Sequence, residues 1–387
     1  MRVLIAGGGT GGHIYPGIAV AEALFDHDLK NEVLFVASKE GMEKNIIPKF
    51  NLRVRYPGAR YQIKYISVIR CLRKLSLKSI LSPFFALFAV FQSLFIILKF
   101  KPQAVLITGG FVGLPVAMAA YLLRVPVILQ EQNVVLGVTN KVCSFFAKTV
   151  LLAFDESKKY FKSKKGVVVG NPVRKNILTA DRATAINALG LSNDKLKILI
   201  WGGSQGSKAI NEKVVEAAKK GIPEDFEIIH VIGKRDFAAV LKNINANLDP
   251  HKFVDLARLS KFDEIKNYYL VDYLDDVSRI LAAADLVIGR AGATALAEII
   301  ARGLPSILIP FPYAAADHQT LNARVLVDRG AAVMMGENEF KAVNLFEFIA
   351  ETSRQLEAMA AAVKNMQKGD PALKIIDIMG QFANPKG

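Results

Sequence analysis

Five glycines within six residues, 7–12, follow a short apolar run near the start of the chain. The apolar residues 3–6 are long enough for a buried parallel strand, and apolar residues after His13 recur with helical spacing. A strand, a glycine turn and a helix in this order present backbone N–H groups to an anion. Glycine suits the turn because a Cβ atom would block the close approach of a phosphate. The segment therefore predicts an α/β domain with an anion-binding turn, the alternative being a tight turn that binds nothing.

The same spacing matches the dinucleotide fingerprint G-x-G-x-x-G through Gly7, Gly9 and Gly12. Enzymes with this fingerprint hold the cofactor ribose with an acidic residue that closes the second strand. Here the second predicted strand, residues 33–37, ends in alanine and serine, and Glu40 lies only nearby. An NAD-dependent oxidoreductase stays open as an alternative, which the missing acid weakens.

The second half of the chain repeats the first. Three pairs of segments correspond: 2–12 with 197–207, 104–113 with 285–292, and 125–129 with 304–309. Strands that alternate with helices in this way predict an α/β fold of two tandem Rossmann-like doubly wound domains, with the ligand in a cleft between their strand ends. We expect an N-terminal domain over residues 1–170 and a C-terminal domain over 171–365. A helix near residues 366–387 is expected to pack back on the first domain.

Positive charge is concentrated in the first part of the chain. The net charge is +15, and residues 1–165 carry 23 Lys and Arg against 9 Asp and Glu. No acidic residue lies between Glu43 and Glu131. This excess predicts an anionic partner for the first domain. Nucleic acid is not expected, because no recognition-helix motif is present and aromatic residues do not alternate with the basic ones.

The cysteines and the N-terminal residues indicate the cellular compartment in which the chain is expected to lie. Cys71 and Cys143, the two cysteines of the chain, are too far apart in sequence to suggest a disulfide framework or a metal site. The first strand begins at once, so we expect no signal peptide. Both observations favour the reducing cytosol.

An apolar segment, residues 80–100, is long enough to span a bilayer but contains proline and three polar residues. It also leads directly into a strand, residues 104–108, that the fold must bury. We therefore predict a helix that lies partly in the core and partly at a bilayer interface, with a fully buried core helix as the alternative. The residues expected to meet an anionic membrane surface are Arg70, Arg73, Lys74, Lys78, Phe84, Phe85 and Phe88.

Polar residues follow predicted strands in both halves, where open α/β sheets bind ligands. Residues 130–133 follow a strand of the first half, and residues 317–322 follow one of the second. Small residues from Gly292 onwards begin a helix whose N–H groups suit a diphosphate. Glu298, in its second turn, can accept hydrogen bonds from both ribose hydroxyls, or it faces solvent. No cluster of metal ligands is visible, so we expect no metal.

Seven of these segments together carry a family resemblance. The chain resembles the MurG family, the GT-B glycosyltransferases that transfer N-acetylglucosamine in peptidoglycan synthesis. The matching segments are GGGTGGH (7–13), GGFVGLP (109–115), QEQN with GVTNK (130–141), GNPVR (170–174), GGSQGS (202–207), RAGATALAE (290–298) and DHQTLNA (317–323). Two features depart from the family pattern: the family commonly has His where this chain has Gln130, and residues 80–100 are unusually apolar.

The resemblance implies an inverting transfer of GlcNAc from UDP-GlcNAc to the C4 hydroxyl of the MurNAc of lipid I, giving lipid II. It implies no cofactor, and an enzyme bound peripherally at the cytoplasmic face of the cell membrane. The acceptor and the membrane then belong to the N-terminal domain, and UDP-GlcNAc to the C-terminal one. The residues implied to contact the donor are Thr10, Gly11, Gly12, Asn133, Arg174, Ser204, Leu274, Ala293, Thr294, Ala295, Leu296, Ala297, Glu298 and Gln319.

His13 is the candidate general base, because inverting transfer needs one base and His titrates near neutral pH. The alternative is a structural histidine that caps the glycine turn. A non-catalytic sensor of sugar nucleotides, docked on the membrane, also stays open; it would keep Glu298 and the glycine turns without needing His13.

Overall fold

The computed structural model describes residues 1–68, 82–203, 206–244, 260–261, 265–274 and 276–383, with backbone alone at 53, 82–83 and 260–261. The chain divides into two compact units. The first comprises Met1–Lys175 and Lys368–Gly387, and the second Asn176–Gln367.

The first unit is built on a parallel sheet in the order β3-β2-β1-β4-β5-β6-β7. Its strands are β1 (Arg2–Gly7), β2 (Glu32–Ser38), β3 (Arg60–Ile66), β4 (Ala104–Gly109), β5 (Val127–Glu131), β6 (Thr149–Leu152) and β7 (Gly166–Val168). Its helices are α1 (Gly11–His27), α2 (Glu43–Lys49), α3 (Leu52–Arg55), α4 (Ser82–Phe100), α5 (Gly113–Leu122), α6 (Val138–Phe146) and a C-terminal helix, Pro371–Ala383, with a 3-10 turn at Asp155–Lys159. The order reverses direction at β1 and β4, where open sheets bind ligands.

Both faces of this sheet are covered, because its central strands β1, β4 and β5 are buried along nearly their whole length. In β1, Val3 and Ile5 pack with α1 and the C-terminal helix. Leu4 and Ala6 face the other way and pack with α4 and α5. A strand buried on both sides needs helices on both sides, which a continuous apolar run predicts.

The second unit repeats this plan in the order β10-β11-β9-β8-β12-β13-β14, with only β10 antiparallel among the described strands. Its strands are β8 (Leu196–Trp201), β9 (Phe226–Val231), β10 (Ser260–Lys261), β11 (Tyr268–Val271), β12 (Leu286–Gly289), β13 (Ser306–Leu308) and β14 (Ala332–Met334). Its helices are α7 (Lys175–Thr179), α8 (Arg182–Leu189), α9 (Lys208–Lys219), α10 (Phe237–Asn243), α11 (Ser278–Ala283), α12 (Ala293–Arg302), α13 (His318–Val327), α14 (Glu337–Ala342), α15 (Leu345–Ser353) and α16 (Leu356–Asn365), with a 3-10 turn at Ala315–Asp317. The predicted class, two tandem Rossmann-like α/β domains, is confirmed.

Helix α4 buries one face and exposes the other. Ala89, Val90 and Ile97 lie in the core of the first unit. The opposite face exposes a row of large apolar residues: Phe84, Leu87, Phe88, Phe91, Phe95 and Leu98. The fully buried alternative is therefore wrong, and the predicted half-buried helix is confirmed. Within the described residues, no helix has both the length and the apolarity needed to cross a bilayer.

Candidate active site

The first glycine turn is held in place by hydrogen bonds to a buried carboxylate. Glu43 Oε2 accepts a hydrogen bond from Gly9 N at 2.9 Å, and its Oε1 accepts from Ser38 N at 2.9 Å and Ser38 Oγ at 2.6 Å. An acid of the chain itself thus takes one of the N–H groups that a dinucleotide phosphate would use. Sequence reasoning missed Glu43, because nothing in its local pattern shows that it folds back under the turn.

The two glycine turns of the first unit touch each other. Gly8 N donates to Gly109 O at 3.2 Å, and a Cβ atom on Gly110 would lie 1.9 Å from Gly8 O. Gly109 has φ +110°, and a Cβ atom there would lie 2.7 Å from Nδ1 of His13. The second turn therefore needs glycine so that the ring of His13 can pack against it.

His13 is held at the start of α1 by its Nδ1 atom. This atom lies 3.1 Å from Thr108 O and 3.1 Å from Gln132 Oε1. A backbone carbonyl can only accept a hydrogen bond, so in the neutral ring Nδ1 carries the proton and Nε2 the lone pair. No hydrogen bond from the described residues reaches Nε2. His13 thus has the tautomer that a general base acting through Nε2 requires.

Three buried amide side chains form a hydrogen-bonded group that contacts this histidine through Gln132. Gln132 Nε2 donates to Thr108 O at 2.7 Å and also to Gln130 Oε1. Gln130 Nε2 donates to Asn171 Oδ1 at 2.7 Å, and Asn171 Nδ2 donates to Gln132 O at 2.9 Å. The segment that follows β5 is therefore joined to the segment that follows β7 by neutral side chains.

Glu131 organises the loop that carries Asn133. Its carboxylate accepts four hydrogen bonds, from Asn133 N and Nδ2, from Gly137 N and from Asn140 Nδ2, at 2.8 to 3.1 Å. Asn140 Oδ1 is buried and has no hydrogen-bond partner within the described part of the chain. It lies beside Gly109, the residue on which His13 packs.

The other predicted residues of the first unit differ in how far they are exposed to solvent. Thr10 is exposed as the N-cap of α1, and Gly11 and Gly12 form its first turn. Arg174 is only 2% exposed, with its guanidinium carbon 4.4 Å from the ring centre of Tyr15. Arg174 is the one cation among the residues implied to contact the donor, and it is almost fully buried.

In the second unit, the predicted residues collect around the start of α12. Gly292 is the N-cap, and residues 293–298 form the first two turns. Glu298 is 3% exposed, so the solvent-facing alternative is wrong. Asn322 Nδ2 donates to Ala291 O at 3.2 Å and so links α13 to the loop before α12.

Gln319 lies in the first turn of α13 and fixes a neighbouring loop. Its Oε1 accepts from Phe311 N at 3.0 Å. The chain enters α13 through two left-handed residues, Ala316 with φ +52° and Asp317 with φ +50°. Such backbone costs about 1–3 kcal/mol per residue and concentrates at functional sites. Leu274, another predicted contact, is half-buried after β11, and Ser204 lies outside the described residues.

A second histidine, which sequence reasoning missed, is fully buried in the second unit. His230 Nδ1 lies 2.7 Å from Tyr268 Oη, and Nε2 lies 3.0 Å from Asn211 Oδ1. Burial lowers the pKa of His230 to about 3. Asn211 also donates to Ile232 O at 3.0 Å, so this group joins α9 to the end of β9.

The structure thus sorts the candidates into two sets, each at the carboxyl edge of one sheet. The set in the first unit is Thr10, Gly11, Gly12, His13, Asn133 and Arg174. The set in the second unit is Leu274, Ala293, Thr294, Ala295, Leu296, Ala297, Glu298 and Gln319. The first set contains a half-buried histidine and the second a helix N-terminus with a buried acid.

Comparison with known proteins identifies the family. The glycosyltransferase family 28 N-terminal domain matches residues 3–152, and the glycosyltransferase family 28 C-terminal domain matches residues 197–377. The chain is 37% identical to the UDP-N-acetylglucosamine–N-acetylmuramyl-(pentapeptide) pyrophosphoryl-undecaprenol N-acetylglucosamine transferase of Desulforamulus reducens, over 95% of this chain and 94% of that protein. It is 35% identical to the protein of the same name from Myxococcus xanthus, over 100% of this chain and 95% of that protein.

Solved structures agree with this assignment. The crystal structure of Acinetobacter baumannii MurG matches with a TM-score of 0.70 and 28% identity, over 98% of this chain and 99% of that one. The UDP-GlcNAc 2-epimerase of Neisseria meningitidis shares the fold alone, at a TM-score of 0.64 and 15% identity, over 98% of this chain and 99% of that one. The chain therefore belongs to glycosyltransferase family 28 and, within it, to the MurG family of N-acetylglucosamine transferases.

Proposed function

We propose that this chain transfers GlcNAc from UDP-GlcNAc to the C4 hydroxyl of the MurNAc of lipid I, with inversion at the transferred carbon, to form lipid II. The observation that carries the proposal is His13, whose Nδ1 lies 3.1 Å from both Thr108 O and Gln132 Oε1, so that the neutral ring has its lone pair on Nε2. Family membership supports the substrates, because the related enzymes are named for this transfer.

In the proposed reaction, Nε2 of His13 removes the proton of the acceptor hydroxyl as its oxygen attacks C1 of GlcNAc. Attack comes from the face opposite the diphosphate, so the α-linked donor becomes a β-linked product. The bond from C1 to the diphosphate oxygen breaks, and UDP leaves with that electron pair. The proton remains on the imidazole until solvent removes it.

We assign the donor to the second unit. The N–H groups of the first turn of α12, at residues 293–295, would bind the diphosphate and stabilise its charge as it leaves. Leu296 N already donates to Gly292 O within the helix, so Leu296 and Ala297 are proposed as donor contacts without that role. Glu298 would accept hydrogen bonds from the ribose hydroxyls, and Gln319 would contact the sugar. The further proposed donor contacts are Thr10, Gly11, Gly12, Asn133, Arg174, Ser204 and Leu274.

We assign the acceptor and the membrane to the first unit. A polyprenyl-linked acceptor stays in the bilayer, so the enzyme must bind at its surface. The apolar row of α4 supports this role, with Phe91 61% and Phe95 69% exposed. On α6, Val138 and Phe145 are also exposed. The basic residues proposed to meet anionic headgroups at the cytoplasmic face, Arg70, Arg73, Lys74 and Lys78, lie outside the described residues.

Release of UDP tests the activity. The chain is mixed with UDP-GlcNAc, with and without a lipid I analogue, and free UDP is measured. We expect release only when the analogue is present, together with a disaccharide product. Donor binding without UDP release would instead indicate the sugar-nucleotide sensor.

Vesicle sedimentation tests the membrane assignment. We expect binding to anionic vesicles to weaken as salt rises, because each basic residue near the surface contributes about 1 kcal/mol that salt screens. Replacing Phe91 and Phe95 by serine should weaken binding by roughly tenfold or more, since exposed apolar area would no longer enter the interface. Leu29→Ser, at another exposed apolar position, is the matched control. Binding that resists salt, alkaline carbonate and both substitutions would contradict a peripheral association.

A further inference from the structure

The partners of His13 are neutral. Its Nδ1 atom meets a backbone carbonyl and the side-chain oxygen of Gln132, where many catalytic histidines meet a carboxylate. The buried carboxylates of the neighbouring loops are bonded elsewhere: Glu43 to Gly9 and Ser38, and Glu131 to Asn133, Gly137 and Asn140. Arg174, a buried cation of the same unit, stacks on Tyr15. The described groups that orient the ring of His13 are therefore neutral, and they act through hydrogen bonds rather than through a salt bridge.

Position 132 requires an amide. Its oxygen faces the Nδ1–H of His13, while its nitrogen faces three acceptors: Thr108 O, Gln130 O and Gln130 Oε1. A carboxylate would place an oxygen against those three acceptors, and an apolar side chain would leave them without this donor. Only a side chain that offers a hydrogen-bond acceptor to His13 and a donor to these three oxygens can satisfy all of its neighbours.

Gln130 fixes which way that amide points. Its own nitrogen donates to Asn171 Oδ1 at 2.7 Å, so its oxygen is turned towards Gln132. That oxygen takes a proton of Gln132 Nε2, and Gln132 Oε1 is thereby directed at His13. All three amide side chains are buried, so water does not compete for these bonds.

We propose that Gln132, held by Gln130 and Asn171, is a positioning residue that keeps the proton of His13 on Nδ1 and its Nε2 free for the acceptor hydroxyl. The inference rests on the proposed role of His13 as the base. It also gives Gln130 a function: it is the middle member of an amide relay from Asn171 to Gln132, rather than a residue that touches substrate.

Nitrogen-15 spectra of the five histidines test the tautomer directly, without turnover. The signals of His13 are assigned by their loss in His13→Ala. In the neutral ring we expect a protonated Nδ1 and an unprotonated Nε2. In Gln132→Met, which keeps the length of the side chain but has no amide, only Thr108 O still accepts from Nδ1, and we expect the share of the tautomer with its proton on Nε2 to rise. A proton on Nε2 in the unaltered chain, or an unchanged spectrum in Gln132→Met, would overturn the inference.

Kinetics of two variants at position 130 test the relay. A neutral histidine can donate to Asn171 and accept from Gln132, so Gln130→His should keep kcat within about threefold. Leucine can do neither, and misplacing the base should lower kcat by up to roughly 10²-fold with the KM for UDP-GlcNAc unchanged. Equal kcat in Gln130→His and Gln130→Leu would contradict the relay.

Two controls separate this inference from the proposed function. The affinity for UDP-GlcNAc should match the unaltered chain in each variant. Each variant should also unfold in one cooperative transition above the assay temperature, although the loss of a buried amide in Gln132→Met and Gln130→Leu lowers the midpoint. If His13→Ala retains normal turnover, the proposed base is wrong, and the spectra still decide whether Gln132 fixes the tautomer.

Discussion

The two units place one histidine each near the ends of their central strands, and they hold it in opposite ways. His13 is half-buried, has one ring nitrogen bonded and keeps the other available. His230 is completely buried, and both of its nitrogens are bonded, to Tyr268 and Asn211. Burial lowers the pKa of His230 to about 3, so it stays neutral at physiological pH.

This contrast separates a reactive group from a structural one on the same fold. A base needs access to substrate and a nitrogen with a free lone pair, and only His13 has both. A buried imidazole with two partners cannot exchange protons with a ligand, but it can join a helix to a strand. The histidine in the unit assigned to the acceptor is therefore the one expected to react, and the other is expected to stabilise.

The largest effect should come from removing the base. We expect His13→Ala to lower turnover by roughly 10²–10⁴-fold, as is usual when a general base is lost, with little change in donor affinity. UDP release under saturating substrates measures it. His27→Ala, an exposed histidine at the other end of α1, is the control and should retain full activity. Normal turnover in His13→Ala would contradict the proposed base and show that His13, like His230, has a structural role.

The next effect should appear in the second unit, in binding. We expect Glu298→Ala to weaken UDP-GlcNAc binding by about 1–3 kcal/mol, because ribose hydroxyls would lose a buried acceptor. Calorimetric titration measures the affinity, with the exposed Glu357→Ala as control. If affinity is unchanged, the buried carboxylate has a structural role and the ribose is bound elsewhere.

A third effect concerns stability and pH. The folded pKa of His230 is lowered, so the unfolded chain takes up its proton first, and stability is lost as pH falls below about 6.5. At pH 5 the loss is about 2 kcal/mol by this linkage. His230→Gln cannot titrate, so its thermal midpoint should fall less between pH 7 and pH 5. An equal fall in both proteins would show that His230 does not contribute.

Much of the architecture could be predicted from sequence, because it depends on local patterns. Apolar runs followed by glycines located the strand ends of both sheets, and the helix after Gly292 brought Glu298 to its second turn. The partly buried α4 was also predictable, because its apolar run leads into a strand that the fold must bury, although the polar Ser93 lies on its buried face. These features need only strand, turn and helix periodicity.

What sequence could not predict are contacts between distant segments. Glu43 lies in an unremarkable stretch, and only the folded chain shows its carboxylate under Gly9. Gln132 was expected near the site as part of a polar run, but its bond to His13 depends on the register of β1, β4 and β5. His230 sits within an apolar strand with no local sign of its partners Tyr268 and Asn211.

The hydrogen bonds of His13 also bear on how the enzyme is made. Its partners Thr108 and Gln132 lie 95 and 119 residues later in the chain. During synthesis on the ribosome, a nascent chain can form the glycine turn and α1 early, but its imidazole stays unoriented until β4 and β5 have emerged and joined β1. Because strand pairings between distant parts of a chain form slowly, we expect the ring of His13 to reach its final orientation late in synthesis. Truncated N-terminal fragments released before residue 132 should therefore contain the histidine without its reactivity.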